Sequence, residues 1–283
     1  MIPKRQNSRL CAVASCTALF IVGALMLSAC GSSGGASSSG DTLLVGSDLT
    51  YPPYASLENK KPAGFDPEII KALAKEAGFK PTIKDVRFEQ LIPSLGAGQI
   101  DVISSALYIT KERARQVDYI PYFSTGNSIV TQTTASPITD ARGLCGKRVA
   151  VIKGGDIVDR LRKDASGACV VAGTAKIDVR EFTSDPEGTQ ALLSGQVDAQ
   201  VTDAAVASTL KTATSGKVTV TSKDLLYPVQ VGLALKKGNT KLRDKLHDAL
   251  DAIKQNGTYD RLLKKYNLRP VDEQQVEALL GSD

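Results

Sequence analysis

The stretch Gly98-Gln99-Ile100-Asp101-Val102 returns later in the chain as Gly195-Gln196-Val197-Asp198-Ala199, and this repetition decides the predicted fold. Each copy follows a leucine-containing stretch with helical spacing and leads into a strand-like run. One helix-to-strand unit therefore occurs twice, as two similar α/β lobes require.

The rest of the chain alternates strand-like runs with helical stretches, which predicts an α/β fold. The first helix has Asp66 as its N-cap, Pro67 at its first position and Gly78 as its stop. A second helical region covers residues 239–266, breaks at Gly257, and is expected to pack on the first lobe. The strand-like runs are residues 42–47, 80–86, 100–105, 148–152, 168–171, 197–202 and 229–235.

The N-terminal segment is typical of a secreted lipoprotein. Lys4, Arg5 and Arg9 precede an uncharged apolar run over residues 10–27, as in a secretory signal. Leu27-Ser28-Ala29-Cys30 then resembles a bacterial lipobox, which implies a signal peptide over residues 1–29, lipid on Cys30 and anchorage to the outer face of the cell membrane. A permanent membrane span is the alternative, because the run approaches the roughly 18 to 20 residues that a bilayer crossing needs.

Cleavage of that segment lowers the formal net charge of the protein. The formal charge is +5, and it falls to +2 when the three cations leave with the signal. No basic stripe with interleaved aromatic residues occurs, so nucleic acid is not an expected partner. Residues 30–41 contain the lipid-bearing cysteine and an almost pure Gly/Ser tether, so ordered structure should begin near Thr42.

Two cysteines remain once the signal and the lipid site are set aside. Outside the cytoplasm such a pair, here Cys145 and Cys169, usually forms a disulfide; two free buried thiols are the alternative. His247 is the only histidine and lies on a predicted helix flank. A zinc site or a nucleophile–histidine pair is therefore not expected, and the sequence indicates no metal and no cofactor.

Six short motifs follow one another between about residues 43 and 268. They are Val45-Gly46-Ser47-Asp48-Leu49-Thr50-Tyr51-Pro52-Pro53-Tyr54, Gly64-Phe65-Asp66-Pro67-Glu68-Ile69, Leu91-Ile92-Pro93-Ser94-Leu95, Ile109-Thr110-Lys111-Glu112-Arg113, Gly143-Leu144-Cys145-Gly146-Lys147-Arg148-Val149 and Asn256-Gly257-Thr258-Tyr259. Together they resemble the extracytoplasmic solute-binding proteins of ABC importers, in the family that binds polar amino acids.

The resemblance implies a two-lobed periplasmic-binding-protein-like fold of type II with two hinge crossovers. Lobe 1 is then residues 42–125 plus 222–283, and lobe 2 is residues 126–221. It further implies a monomer that captures an amino acid or related amine-bearing solute between the lobes and delivers it to permease and ATPase subunits. Ligand that contacts both lobes favours the closed form.

The same resemblance assigns the groups that hold a zwitterion. Arg113 grips an α-carboxylate, because a planar guanidinium pairs both oxygens at once. Asp203 accepts from an α-ammonium, and could also be the N-cap of a helix over residues 204–210. Tyr51 and Phe88 sandwich the ligand side chain, with core packing as the alternative. Asp48 reaches the far end of a basic or amide side chain, or else caps its own loop.

The chain departs from the family pattern at two places. Ser105 is kept, but Ala106 and Tyr108 stand where small hydroxyl residues are common, so a hydroxyl contact is lost and a bulky ring is added. In lobe 2, Gly155 and Asp156 replace the usual residues at a helix start that faces the carboxylate, although backbone N–H groups there could still bind an anion.

Asp156 is either an N-cap or a further negative charge in the cleft. In the second case Asp48, Asp156 and Asp203 together predict a cationic ligand.

Two other functions are weighed against solute binding. Some proteins of this fold are cyclohexadienyl dehydratases, which need a general acid near the departing hydroxyl. Glu89 and Glu112 are the nearby glutamates, and neither is indicated as a proton donor, so the chain is not expected to be an enzyme. A ligand-sensing module would need a separate receptor, because the sequence contains no output segment.

Overall fold

Residues 42–281 are described in a computed structural model of the chain, and every structural statement below concerns them. The predicted signal peptide, the lipid site Cys30 and the tether lie outside these residues. Between Thr42 and Gly281, no helix combines the length and the apolar character that a membrane crossing would need.

The described residues alternate strands and helices along the chain, which confirms the predicted α/β class. The strands are β1 (Thr42–Ser47), β2 (Thr50–Tyr51), β3 (Ala55–Glu58), β4 (Lys61–Ala63), β5 (Lys80–Asp85), β6 (Val102–Ile103), β7 (Val117–Gln132), β8 (Arg148–Ile152), β9 (Asp178–Phe182), β10 (Ala199–Asp203), β11 (Val218–Val220) and β12 (Leu226–Lys236). The helices are α1 (Phe65–Glu76), α2 (Leu91–Gly96), α3 (Lys111–Ala114), α4 (Asp156–Asp159), α5 (Ser166–Val171), α6 (Asp185–Leu193), α7 (Ala204–Ala213), α8 (Thr240–Gln255), α9 (Thr258–Tyr266) and α10 (Glu273–Leu280).

One long sheet carries most of the strands, in the order β5-β1-β6-β12-β7-β10-β8-β9, with β11 also paired to β7. The strands at both ends of this order run parallel to their neighbours, whereas β7 and β12 run antiparallel to each other. A separate small sheet contains β2, β3 and β4. Parallel strands joined through helices are what the repeated helix-to-strand unit predicts.

The strand β7 passes from one half of the sheet to the other. It pairs with β12 from Val117 to Asn127 and then with β10 from Asn127 to Val130. The chain returns through the segment between β11 and β12, and both passages fall near the predicted crossovers at residues 125/126 and 221/222. The bounds of lobe 1 and lobe 2 stay a prediction.

Each half of the sheet has its own apolar core. In lobe 1, α1 buries Ile69, Ile70 and Leu73 in the same cluster as Leu246 and Leu250 of α8. The C-terminal helices therefore pack on lobe 1, as predicted. In lobe 2, a second cluster contains buried apolar residues of β8, β10 and the helical run that begins at Asp156: Val149, Val151, Leu161, Cys169 and Val201.

The predicted strand over residues 168–171 is wrong. These residues lie in α5, which continues a helical run from α4 through a π-helical turn at Arg160–Ala165. Cys169 is buried there while Val171 is 91% exposed, so the apolar run does not line a sheet. The strand of this region is β9, which carries charged residues and pairs with β8.

The predicted N-cap role of Asp66 is also wrong. The helix α1 begins two residues earlier than predicted, at Phe65, with Gly64 as its N-cap and no side-chain cap. Asp66 instead points into lobe 1, where its carboxylate accepts hydrogen bonds from the Ser104 hydroxyl at 3.1 Å, the Ala106 amide at 3.0 Å and the Tyr122 hydroxyl. The side chain thus connects α1 to the loop that follows β6.

A disulfide joins Cys145 to Cys169, as predicted. It connects the 3₁₀ turn at Ala141–Leu144 to α5 across a sequence separation of 24 residues. Replacing both cysteines by serine should lower the free energy of unfolding by about 3 kcal/mol, because the cross-link restricts the unfolded chain. Urea unfolding of the variant and of the oxidised wild-type protein measures this difference, and equal midpoints with equal slopes would contradict it.

Candidate functional site

The predicted site residues share one topological position. Asp48 follows β1, Phe88 follows β5, Tyr108 follows β6, Asp156 follows β8, and Asp203 ends β10. Parallel strands present their carboxyl ends at one edge of a sheet, where ligands bind in open α/β folds. Both halves of the sheet therefore contribute side chains to this edge.

A narrow cavity, here called the cleft, lies at this edge. It has a volume of about 20 Å³, which is room for about one water molecule. The cleft contains side chains from both predicted lobes. It is lined by Tyr51, Phe88, Ala106, Tyr108, Arg113, Asn127, Ile152, Gly155, Asp156, Ile157, Val201 and Thr202.

Arg113 spans the cleft from lobe 1 to lobe 2. Its Nη1 donates to the Tyr108 carbonyl at 3.0 Å, and its Nη2 donates to the Gly154 carbonyl at 2.9 Å. Thr110 caps α3 by accepting from the Arg113 amide, which fixes the start of this side chain. The guanidinium also lies 5.7 Å from the centre of the Phe88 ring. A guanidinium has five N–H donors, so donors remain for an anion in the cleft.

Asp203 is fully buried beside the cleft and accepts three hydrogen bonds. Its Oδ1 accepts from the Tyr54 hydroxyl at 2.7 Å and from the Ala205 amide at 2.9 Å, and its Oδ2 accepts from the Tyr108 hydroxyl at 2.7 Å. Burial raises the pKa of Asp203, and these donors oppose the rise. Asp203 is thus the N-cap of α7 through its Oδ1. The Tyr108 hydroxyl donates to the other carboxylate oxygen, Oδ2.

Tyr51 and Phe88 both line the cleft and are nearly buried. The Tyr51 hydroxyl lies 3.4 Å from the Thr202 hydroxyl, which is a contact between lobe 1 and lobe 2. Tyr51 also stacks near Tyr54, with ring centres 5.8 Å apart. The two rings thus supply aromatic surface inside the cleft while they also take part in the packing around it.

Asp48 and Ser105 do not line the cleft. Asp48 is fully buried and accepts from the Thr50 amide and hydroxyl and from the Phe88 amide, and Arg87 forms an ion pair with it at 3.0 Å. The Ser105 hydroxyl accepts from the Asp48 amide at 2.9 Å. These contacts agree with the loop-capping alternative for Asp48, and its contact with a ligand stays a prediction.

Asp156 lines the cleft but is not an N-cap, so that reading of it is wrong. The helix α4 begins at Asp156 itself, and Gly155 is the N-cap without a side-chain bond. The Asp156 carboxylate lies 3.2 Å from Arg160 Nε one turn further along. A negative charge therefore stands at the cleft, with one cation beside it.

Ala106 lines the cleft in a left-handed backbone conformation, with φ of 46°. A non-glycine residue in this region costs roughly 1 kcal/mol or more, so its surroundings must hold it there. The carboxylate of Asp66 does so by accepting from the Ala106 amide. Burial raises the pKa of Asp66 to about 7, although its hydrogen-bond donors oppose the rise.

Sequence reasoning missed Asn127 and Thr202 as lining residues. Asn127 lies where β7 changes partner from β12 to β10, within a buried polar stretch of that strand that also contains Thr125 and Ser128. The sequence around Asn127 is polar and rich in small residues, so it does not predict a buried strand there. Thr202 directly precedes Asp203 and lies at the end of β10, inside a strand that was predicted.

Comparison with known proteins gives a consistent result. The model of the family described as bacterial extracellular solute-binding proteins, family 3, matches residues 43–269. The L-cystine-binding protein TcyJ of Escherichia coli is 31% identical over 228 residues, which cover 80% of this chain and 82% of that protein. The ABC transporter glutamine-binding protein GlnH of Bacillus subtilis is 32% identical over 231 residues, 80% of this chain and 78% of that protein.

A solved structure of similar architecture is that of an ancestral arginine-binding protein bound to arginine. It superposes with a TM-score of 0.72 and 36% sequence identity, over 80% of this chain and 97% of that chain.

Proposed function

Because the chain belongs to the bacterial extracellular solute-binding proteins of family 3, we propose that it captures a cationic amino acid or a related amine-bearing solute and delivers it to an ABC importer. The observation that carries the proposal is the placement of Arg113 and Asp203 at one edge of the sheet, with aromatic rings beside them. The relatives named for cystine, glutamine and arginine support an amino acid or a close analogue as the ligand.

The charges around the cleft support a cationic side chain. An α-amino acid would place its carboxylate at Arg113 and its ammonium towards Asp203. Asp156 and the ring faces of Tyr51 and Phe88 would then remain for the side chain. A carboxylate and aromatic faces together favour a positive group, each ring by about 0.5 to 2 kcal/mol.

Capture requires the cleft to widen, since about 20 Å³ does not accommodate an amino acid. We expect this widening at the two passages between the lobes, where only β7 and the segment before β12 connect them. A ligand that contacts both lobes then stabilises the closed arrangement by its extra contacts. The same closure would present a distinct surface to a permease.

The attachment of the protein to the membrane rests on its sequence. We propose cleavage before Cys30, lipid on its thiol and a location on the outer face of the cell membrane, with residues 31–40 as the tether. The ligand would then be captured outside the cytoplasm and handed on unchanged.

The test is a thermal-shift screen of the full-length protein, purified in mild detergent, followed by calorimetric titration. L-Arginine, L-lysine and L-ornithine are expected to raise the melting temperature by about 10 °C at 1,000 times their dissociation constants, because ligand that binds only the folded state adds about 4 kcal/mol. L-Glutamate is the charge-reversed control and should give no shift. Tight binding of L-glutamate with no response to any cationic solute would contradict the cationic class.

The dehydratase alternative receives no support from the cleft. Glu89 forms an ion pair with Lys153 at 2.7 Å, and Glu112 is exposed. Neither glutamate is among the residues that line the cleft between positions 42 and 281. Turnover of prephenate or arogenate by the purified protein would establish the enzyme instead.

A further inference from the structure

We propose that Asp185 is the counter-ion for a positive group of the ligand, at the end of the cleft where Tyr51 and Thr202 meet. The inference rests on the proposed function and names a binding residue within the same site. It is carried by a buried carboxylate that has no neighbouring cation and no hydrogen bond of normal geometry within residues 42–281.

Asp185 is the first residue of α6 and follows β9, so it stands at the same sheet edge as the cleft residues, behind the residues that line the cleft. Its side chain belongs to a residue that is only 3% exposed. Neither of its carboxylate oxygens makes a hydrogen bond of normal geometry among residues 42–281, although Gln200 and Thr202 lie close enough to favour its ionised form. Buried carboxylates are rarely left this way, because an unpaired buried charge is strongly unfavourable.

The carboxylate lies close to cleft residues. The helix α6 packs against β2, the short strand that contains Tyr51. Burial raises the pKa of the Tyr51 hydroxyl well above its ordinary value, and the charges of Asp203 and Asp185 raise it further. Asp185 therefore lies near Tyr51, a ring that lines the cleft and belongs to the opposite lobe.

The groups that face Asp185 do not neutralise it. Gln200 and Thr202 of β10 are its polar neighbours, and Asp203 and Asp48 are the charges that act on it. Arg87 forms ion pairs with Asp48 and Asp85, and no cation is among the groups that act on Asp185. The local balance in the described part of the chain is therefore negative, which suits a cation from outside the protein.

The carboxyl group of Asp185 has a pKa near neutrality. Burial raises the pKa of Asp185 to about 7, and the polar neighbours oppose the rise. A ligand cation would favour the ionised form, so binding should release a proton at pH values near or below 7. Affinity for a cationic ligand should accordingly strengthen as the pH rises through 7.

The alternative is that Asp185 serves only the start of its helix. A carboxylate in the first turn is favoured by the partial positive charge of the helix N-terminus. Glu187 is an exposed acid in the same turn and provides the matched control. If the acids act only by stabilising the helix, replacing Asp185 and replacing Glu187 should have similar effects. If Asp185 contacts the ligand, only its replacement should lower the affinity.

The experiment compares Asp185→Asn with Glu187→Gln by calorimetric titration of the full-length protein. L-Arginine and L-glutamine are the probes, since they share the α-carboxylate and α-ammonium but only arginine has a cationic side chain. At pH 8, Asp185→Asn should lower the affinity for L-arginine at least tenfold and the affinity for L-glutamine less than threefold. The affinities of Glu187→Gln for both ligands should match those of the wild type. The gain in L-arginine affinity between pH 5.5 and pH 8 should shrink in Asp185→Asn.

The outcomes separate this inference from the proposed function. If the wild type binds L-arginine and Asp185→Asn binds it within threefold, the inference fails and the proposed function stands. Equal losses for L-arginine and L-glutamine would also overturn it, because they would indicate a general effect on the cleft. A wild-type protein that binds no amino acid or amine refutes both. Asp185→Ser, checked with circular dichroism, is the second variant in case the first does not fold.

Discussion

Replacing Arg113 by alanine is expected to weaken the binding of any carboxylate ligand at least about 30-fold. The guanidinium is the cation that lines the cleft among the described residues, and it already bridges the lobes through the Tyr108 and Gly154 carbonyls. Removing one partner of a desolvated charge pair typically costs about 2 to 5 kcal/mol, which is a factor of roughly 30 to several thousand in affinity. Calorimetric titration with L-arginine measures the loss.

The matched control for this prediction is Arg115→Ala, which removes an exposed arginine two residues further along. It should leave both affinity and stability unchanged, since exposed charges contribute little. The affinity of Arg113→Lys should lie between those of the wild type and Arg113→Ala, because lysine keeps the charge but cannot pair both carboxylate oxygens in one plane. Wild-type affinity in Arg113→Ala would mean that the ligand carboxylate binds elsewhere or that the ligand has none.

Replacing Asp203 by asparagine is expected to reduce the affinity for an ammonium ligand at least 100-fold. The carboxylate is fully buried beside the cleft, so the loss of its charge is not compensated by water. Asparagine has nearly the same shape and keeps an oxygen for the Ala205 amide, so the start of α7 should survive. Titration with L-arginine and circular dichroism separate the loss of binding from a loss of fold.

Tyr108→Phe is the control that separates charge from packing at this position. It removes the hydroxyl that donates to Asp203 Oδ2 but keeps the ring and the carboxylate charge. If a ligand ammonium competes for that oxygen, the variant should bind at least as tightly as the wild type. If Asp203 serves only to hold the tyrosines and α7, Asp203→Asn should lower the melting temperature and leave the affinity unchanged.

Much of the candidate site can be predicted from the sequence, because its residues follow strands that the sequence also predicts. The family resemblance predicts Arg113, Tyr51 and Phe88 as binding residues, and the structure places all three at the cleft. The N-cap role is present for Asp203 but wrong for Asp66 and Asp156. The helix α1 begins two positions, and α4 one position, before the residue that would follow such a cap, and each carboxylate has another partner.

Asp185 shows how one wrong strand can hide a candidate site residue. The apolar run at residues 168–171 predicts a strand but lies in a helix, whereas the charged run that forms the strand before Asp185 carries no such signal. The real strand β9 contains Asp178, Arg180 and Glu181 and lies at the end of the sheet order, where charged side chains can reach water. Its place follows from pairing with β8, which local composition does not reveal.

The pairing of β7 with β12 constrains how the molecule can move. Sliding one strand along the other would break the ladder of hydrogen bonds between them, whereas bending both strands together would preserve most of it. The ladder changes register between Leu226 and Val229 and again between Val231 and Gly232, and such irregularities concentrate bending. Rotation of the two lobes about an axis near these irregularities is therefore the large motion that should break the fewest hydrogen bonds. A membrane partner that contacts both lobes could then distinguish the ligand-bound form by the angle between them.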